Sequence, residues 1–319
     1  MSDTFNSPNF SLNSSVDLSV NIAGVRLKNP VIAASGTFGF GKEYADIFDI
    51  SKLGAICTKG LTLSPREGNT GIRIWETPSG ILNSIGLENP GISSFIENDL
   101  PFLKNAGTTV IANLSGAASD EYVNGARLLN DSAVDLIELN ISCPNVKEGG
   151  MAFGLDSGTA AALTAAVKRV CTNKPLIVKL SPNAPNIFAV ALACVRAGAD
   201  ALSLVNTFKA MAIDTVNRKP VFDNIIAGLS GPAVKPLALR IIWELYEGLR
   251  DENINIPIIG IGGITAADDA LEFLMAGAAA VQVGTATFVD PFSMLNIIDG
   301  LDSYLKNNNL QSLAEISIR

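Results

Sequence analysis

Short apolar runs of four or five residues recur along the chain and alternate with stretches of helical periodicity. Eight stand out: Val31–Ala34, Ala55–Lys59, Val110–Leu114, Leu136–Asn140, Leu176–Leu180, Ala201–Val205, Ile256–Gly260 and Ala280–Val283. Most are apolar without alternation, as in strands covered on both faces, and helix-length segments between them imply parallel pairing through crossovers. Eight such units with no linker rich in Gly, Pro or Ser predict one closed α/β structure, a (β/α)8 TIM barrel, over two open sheets. Ahead of them, Leu18–Ile22 and Val25–Lys28 flank Ala23-Gly24 and predict an N-terminal β-hairpin at the barrel bottom.

Helices hand over to strands in a repeated way. Asn105-Ala106-Gly107, Ala197-Gly198-Ala199-Asp200 and Ala276-Gly277-Ala278-Ala279 each precede a strand, where a Gly can end the helix in the left-handed conformation. These helix-to-strand connections are tight. The strand-to-helix connections Gly60 to Pro90, Ile141 to Ser157 and Asn206 to Gly231 are long. Loops of that length are uncommon unless they bind or catalyse, and barrel active sites form at that end of the strands. A functional site is expected there.

Composition narrows the chemistry. The 319 residues are 48% hydrophobic and 17% charged, enough for a large core, yet no apolar run approaches the ~20 residues that cross a bilayer. Met1 to Ser15 is rich in Ser and Asn and lacks a signal pattern, so residues 1–16 are expected as a disordered or extended segment before a barrel domain at 17–319. The net charge of −8 without a basic cluster argues against nucleic acid. Cys57, Cys143, Cys171 and Cys194 form no CxxC pair and no metal framework, which suits reduced thiols in the cytoplasm. Histidine is absent, so any acid–base step must run through Cys, Lys, Asp, Glu or Tyr.

Gly260-Ile261-Gly262-Gly263-Ile264 follows the seventh run and Val283-Gly284-Thr285-Ala286 the eighth. In a barrel these two turns commonly build a phosphate cradle; the plainer reading is two tight turns. Cys143 stands apart from the other thiols, which sit in a strand or on apolar helices, because it opens a loop in Asn140-Ile141-Ser142-Cys143-Pro144-Asn145. Lys59 and Lys179 fall in or at the ends of apolar strands, where a charge needs an anionic ligand or a barrel carboxylate. Schiff-base chemistry on either lysine is a further option. Asn83, Asn113, Asn140, Asn145 and Asn206 gather at strand ends, and a set of amides suits a planar ring with alternating carbonyl and N–H groups.

Several strings taken together resemble the dihydroorotate dehydrogenase family. They are Ala34-Ser35-Gly36-Thr37-Phe38-Gly39, Asn83-Ser84-Ile85-Gly86-Leu87-Glu88-Asn89-Pro90, and Glu138-Leu139-Asn140-Ile141-Ser142-Cys143-Pro144-Asn145. Val178-Lys179-Leu180-Ser181-Pro182, Val205-Asn206-Thr207, Gly228-Leu229-Ser230-Gly231-Pro232 and the two glycine turns continue the likeness in order to the C-terminus. Cys before Pro144-Asn145 resembles class 1 enzymes, and Val146-Lys147-Glu148-Gly149-Gly150 resembles the B-type catalytic subunit.

The resemblance implies oxidation of dihydroorotate to orotate in pyrimidine biosynthesis, with hydride passing from C6 to FMN and Cys143 as the base for the C5 proton. It implies that Ser35, Gly60, Asn113, Lys179, Val205, Gly231, Gly262, Gly263, Gly284 and Thr285 hold FMN. Lys59 and Asn140 would touch both cofactor and substrate. Asn83, Ser84, Ile85, Gly86, Leu87, Asn145, Asn206 and Thr207 would surround dihydroorotate. B-type enzymes pass electrons to NAD through a partner subunit carrying FAD and a [2Fe–2S] cluster, in a heterotetramer built on a homodimer. A stand-alone fumarate-reducing A-type homodimer, a related dihydropyrimidine dehydrogenase, a phosphate-binding lyase or isomerase, and a non-catalytic sensor are the alternatives.

Overall fold

A computed structural model describes residues 16–142 and 153–316. The segment before Val16 and the stretch containing Cys143 and Asn145 lie outside the described residues. A hairpin opens the fold, β1 (Val20–Ile22) with β2 (Val25–Leu27), turning through Ala23 and Gly24, both at positive φ. Eight parallel strands then close a barrel: β3 (Val31–Ala33), β4 (Ala55–Cys57), β7 (Val110–Leu114), β8 (Leu136–Asn140), β9 (Leu176–Lys179), β10 (Ala201–Leu204), β15 (Ile258–Ile261) and β16 (Ala280–Val283). The expected (β/α)8 barrel is therefore the observed one. Gly107, Gly198 and Gly277 end their helices at positive φ, as anticipated.

The barrel interior has two layers of opposite character. Its lower layer is apolar: Ile32, Ala55, Ile111, Leu136, Ile177, Ala201, Ile259 and Ala280 pack with Ile22 and Leu27 of the hairpin, which plugs the bottom. Two residues further along, five of the eight strands turn the same inward side polar, with Asn113, Glu138, Lys179, Ser203 and Gln282, while Ala34, Cys57 and Ile261 keep the other three apolar. The intervening positions, such as Ala112, Ile137, Val178, Leu202 and Val281, join the outer core under the helices. A period of two thus runs through strands that read as uniformly apolar, because only the upper inward positions are polar.

Strand ends differ slightly from expectation. The seventh barrel strand runs Ile258–Ile261, not Ile256–Gly260, since Pro257 has no N–H for the ladder, although its carbonyl accepts from Leu202. Two of the long connections are not plain loops. β5 (Ile74–Thr77) and β6 (Gly80–Asn83) from the first join β11 (Phe208–Ala210) and β14 (Ala227–Ser230) from the third, in an antiparallel sheet ordered β11-β14-β6-β5. This sheet stands at the barrel mouth, and a short hairpin, β12 (Ile213–Asp214) with β13 (Lys219–Pro220), extends from it.

Candidate active site

The carboxyl ends of the strands and the four-stranded sheet enclose a cavity of about 590 Å³. One wall is made of glycine turns from three parts of the chain. A Cβ on Gly263 (φ +73) would lie 2.7 Å from Lys235 N and 2.9 Å from the Gly231 carbonyl. One on Gly231 (φ +102) would lie 3.5 Å from Thr285 Cγ2, and Thr285 Oγ1 donates to Ser230 Oγ at 2.9 Å. The turns after β14, β15 and β16 therefore converge, and the chain enters the helix Lys235–Asp251 directly behind them. Close backbone approach here needs residues without side chains. Gly263→Ala is expected to cost about 1–2 kcal/mol from its left-handed backbone alone, and more from the contact with Lys235; an unchanged denaturant midpoint would contradict this.

Amides also line the cavity. Asn140 Oδ1 accepts from Ser142 Oγ at 2.8 Å, and Asn206 Nδ2 donates to Ser142 Oγ at 2.6 Å. Asn140 Nδ2 donates to Asn113 Oδ1 at 3.3 Å, and Asn83 Nδ2 to the Gly228 carbonyl at 3.2 Å. Two of the lysines that line this cavity stand in different states. Lys179 is buried, donating to Ser35 Oγ at 3.2 Å and lying 3.5 Å from Glu138 Oε1. Lys59 Nζ makes no hydrogen bond or ion pair with the described residues. Burial pulls its pKa below the usual lysine value; Glu88 opposes that shift and Arg73 adds to it. A half-buried cation without a contact partner among the described residues suits an anionic ligand.

The sequence profile of the dihydroorotate dehydrogenase family matches residues 17–305. The chain belongs to that family. It is 58% identical over 301 residues to a Petrotoga mobilis protein named dihydroorotate dehydrogenase B (NAD(+)), catalytic subunit, covering 94% of this chain and 98% of the relative. Proteins of the same name from Geotalea uraniireducens and Caldicellulosiruptor saccharolyticus are 52% and 50% identical, each over 94% of this chain and 97% or 98% of theirs.

For this member of the dihydroorotate dehydrogenase family, the fold gathers nearly every residue singled out from the sequence. Ser35, Lys59, Gly60, Asn113, Asn140 and Lys179 line the cavity from the strand ends, and Asn83, Ser84, Ile85, Gly86 and Leu87 from the first long connection. Asn206, Thr207, Gly231, Gly262, Gly263, Gly284 and Thr285 complete it. Val205 does not line it. It is buried behind the wall, where a Cβ on Gly262 would meet its Cγ2 at 3.5 Å. Cys143 and Asn145 lie outside the described residues, but Ser142, immediately before Cys143, is fixed to Asn140 and Asn206.

Sequence reading missed the supports beneath this surface. Glu138 is fully buried, and Gln282 reaches the cavity with Oε1 unpartnered among the described residues. Tyr122 Oη donates to the Asn140 carbonyl at 2.9 Å. Asn69 ties the first connection to itself: its N–H donates to the Ile85 carbonyl at 2.9 Å, and its Nδ2 to Ser84 O and Oγ, both at 3.0 Å. Asn89 closes the same loop, bonded to Thr62, Leu87 and Gly91. The Asn83–Leu87 segment is thus held from outside the cavity. Among these, only Glu138 carried a signal, as a carboxylate inside an otherwise apolar strand.

Proposed function

We propose that this chain oxidises dihydroorotate to orotate on bound FMN, a step of pyrimidine biosynthesis in the cytoplasm. Its electrons then pass to NAD+ through a partner subunit carrying FAD and a [2Fe–2S] cluster, in a heterotetramer built on a homodimer. The relatives' shared name, a B-type NAD(+) enzyme's catalytic subunit, supports this over the stand-alone fumarate-reducing form. The cavity suits FMN on three counts. The glycine turns leave a wall of bare backbone for a phosphate, Gln282 Oε1 is a buried acceptor unpaired among the described residues, and Lys179 brings a positive charge to the floor.

Gly231, Gly262, Gly263, Gly284 and Thr285 would hold the phosphate side, with Ser35, Gly60, Asn113, Asn140 and Lys179 toward the ring and Val205 supporting Gly262 from behind. When bound, FMN supplies the acceptor for the hydride leaving C6. Lys59 receives the substrate carboxylate, and the backbone near Gly86 adds N–H groups. Asn83, Asn140, Asn145 and Asn206 take the ring's carbonyl and N–H groups, with Ser84, Ile85, Leu87 and Thr207 closing around it. Cys143, as thiolate, removes the C5 proton.

The observation that carries this reading is Lys59: an ammonium with no contact partner among the described residues, set beside amides that suit a cyclic imide. The test is an anaerobic absorption spectrum of the purified chain with FMN. Dihydroorotate should bleach the flavin band, and dihydrouracil, which lacks the carboxylate, should bleach it far more weakly. Equal bleaching by both would transfer the chain to dihydropyrimidine chemistry, and no bleaching by either would overturn the assignment.

A further inference from the structure

Glu138 is a fully buried carboxylate that does not reach the cavity, yet three of the side chains around it do. Its Oε1 accepts from Asn113 Nδ2 at 2.6 Å and from Cys57 Sγ at 3.3 Å, and Lys179 Nζ lies 3.5 Å away. Its Oε2 accepts from Gln282 Nε2 at 2.7 Å and from Ser203 Oγ at 2.8 Å. Burying a carboxylate is costly, and four donors with an ammonium are what that cost demands. Lys179 and the bonds from Ser203, Gln282 and Asn113 outweigh burial and keep the carboxyl below its usual range, hence ionised.

An ionised carboxylate only accepts hydrogen bonds, whereas an amide has a donor end and an acceptor end. Every amide touching Glu138 must therefore turn its NH2 inward and its oxygen away. Asn113 does so, and its Oδ1 then accepts from Asn140 Nδ2 at 3.3 Å. Asn140 Oδ1 in turn faces Ser142 Oγ at 2.8 Å and Asn206 Nδ2 at 3.4 Å. Asn206 Oδ1 accepts from the Thr207 N–H at 2.8 Å. On the other side, Gln282 is left presenting Oε1 with no partner among the described residues.

We propose that Glu138 is a positioning residue that fixes the donor–acceptor polarity of the cavity's amides and holds the Lys179 ammonium at the floor. Through it one buried charge orients Asn113, Asn140, Asn206 and Gln282, so that the ligand's ring meets an acceptor and a cation in fixed places. The wiring stands on the hydrogen bonds alone; its effect on a flavin rests on the function proposed above.

Two measurements separate the wiring from the flavin reading. Neutron diffraction from the wild-type chain should show deuterium on Asn113 Nδ2 and Gln282 Nε2, both facing an unprotonated Glu138. A protonated Glu138, or either amide reversed, overturns the proposal whether or not any cofactor binds. With FMN, Glu138→Gln should raise the dissociation constant at least tenfold and shift the midpoint potential positive, since removing a negative charge favours the electron-rich form. A tenfold change in that preference is about 30 mV for a two-electron couple. A purely structural role would lower the unfolding midpoint and leave the potential in place, which would overturn the proposal. Should Glu138→Gln not fold, Glu138→Gln with Lys179→Met is compared with Lys179→Met alone. Weaker FMN binding in the pair supports the wiring, and equal binding overturns it. A wild-type chain that takes up no FMN would sink only the flavin reading.

Discussion

Cys143→Ala is expected to slow bleaching of bound FMN by saturating dihydroorotate by about 10²–10⁴-fold, the usual worth of a positioned general base. The wild-type rate should rise about tenfold per pH unit and level off near the thiol pKa, which is about 8.5 for a free cysteine. The described cysteines do not contribute to that limb. Burial pushes Cys171 and Cys194 up to about 11, and burial with the neighbouring Glu138 charge raises Cys57 well above the ordinary thiol value. Cys143→Ser should keep the fold and move the limb to higher pH, because a hydroxyl ionises less readily. Stopped-flow bleaching across pH makes the comparison. A Cys143→Ala chain as fast as wild type at every pH would remove the base assignment.

The barrel was legible because its signals are local. Short apolar runs, tight helix-to-strand turns ending in Gly and long returns at the opposite end all follow from chain geometry, and they put the cavity at the right end. The mouth sheet was not legible. β6 and β14 come from connections more than a hundred residues apart, and their pairing depends on the barrel bringing both loops together. Within the site, the side chains that reach the cavity were visible through their type and place, as with Lys59, Asn140 and the glycine turns. Asn69 and Tyr122 act by holding such residues in place, and nothing local distinguishes them from ordinary loop and helix positions. Val205 shows the converse: it adjoins Asn206 in sequence and has the strand parity of the inward Ala201 and Ser203, yet it is buried behind the wall.

Lys59→Met should weaken dihydroorotate binding roughly 10- to 150-fold, corresponding to the ~1.5–3 kcal/mol of a hydrogen bond to a charged group. Weak bleaching by dihydrouracil should be almost untouched, because that substrate has no carboxylate for Lys59 to receive. The pH dependence has a definite sign. Burial lowers the Lys59 pKa in the free chain, and a bound carboxylate raises it again. Substrate binding therefore takes up a proton wherever free Lys59 is partly neutral, and affinity falls as pH rises through the lowered value. The protonated lysine also disfavours the folded chain without ligand, a penalty present below the lowered pKa and relieved as pH rises toward the ordinary lysine value. Affinity and the proton-transfer rate should thus move in opposite directions at alkaline pH, the first set by Lys59 and the second by Cys143. Titrating dihydroorotate and dihydrouracil against wild type and Lys59→Met from neutral to alkaline pH separates the two. A pH-independent affinity for dihydroorotate, or an equal loss for both substrates in Lys59→Met, would show that the carboxylate binds elsewhere.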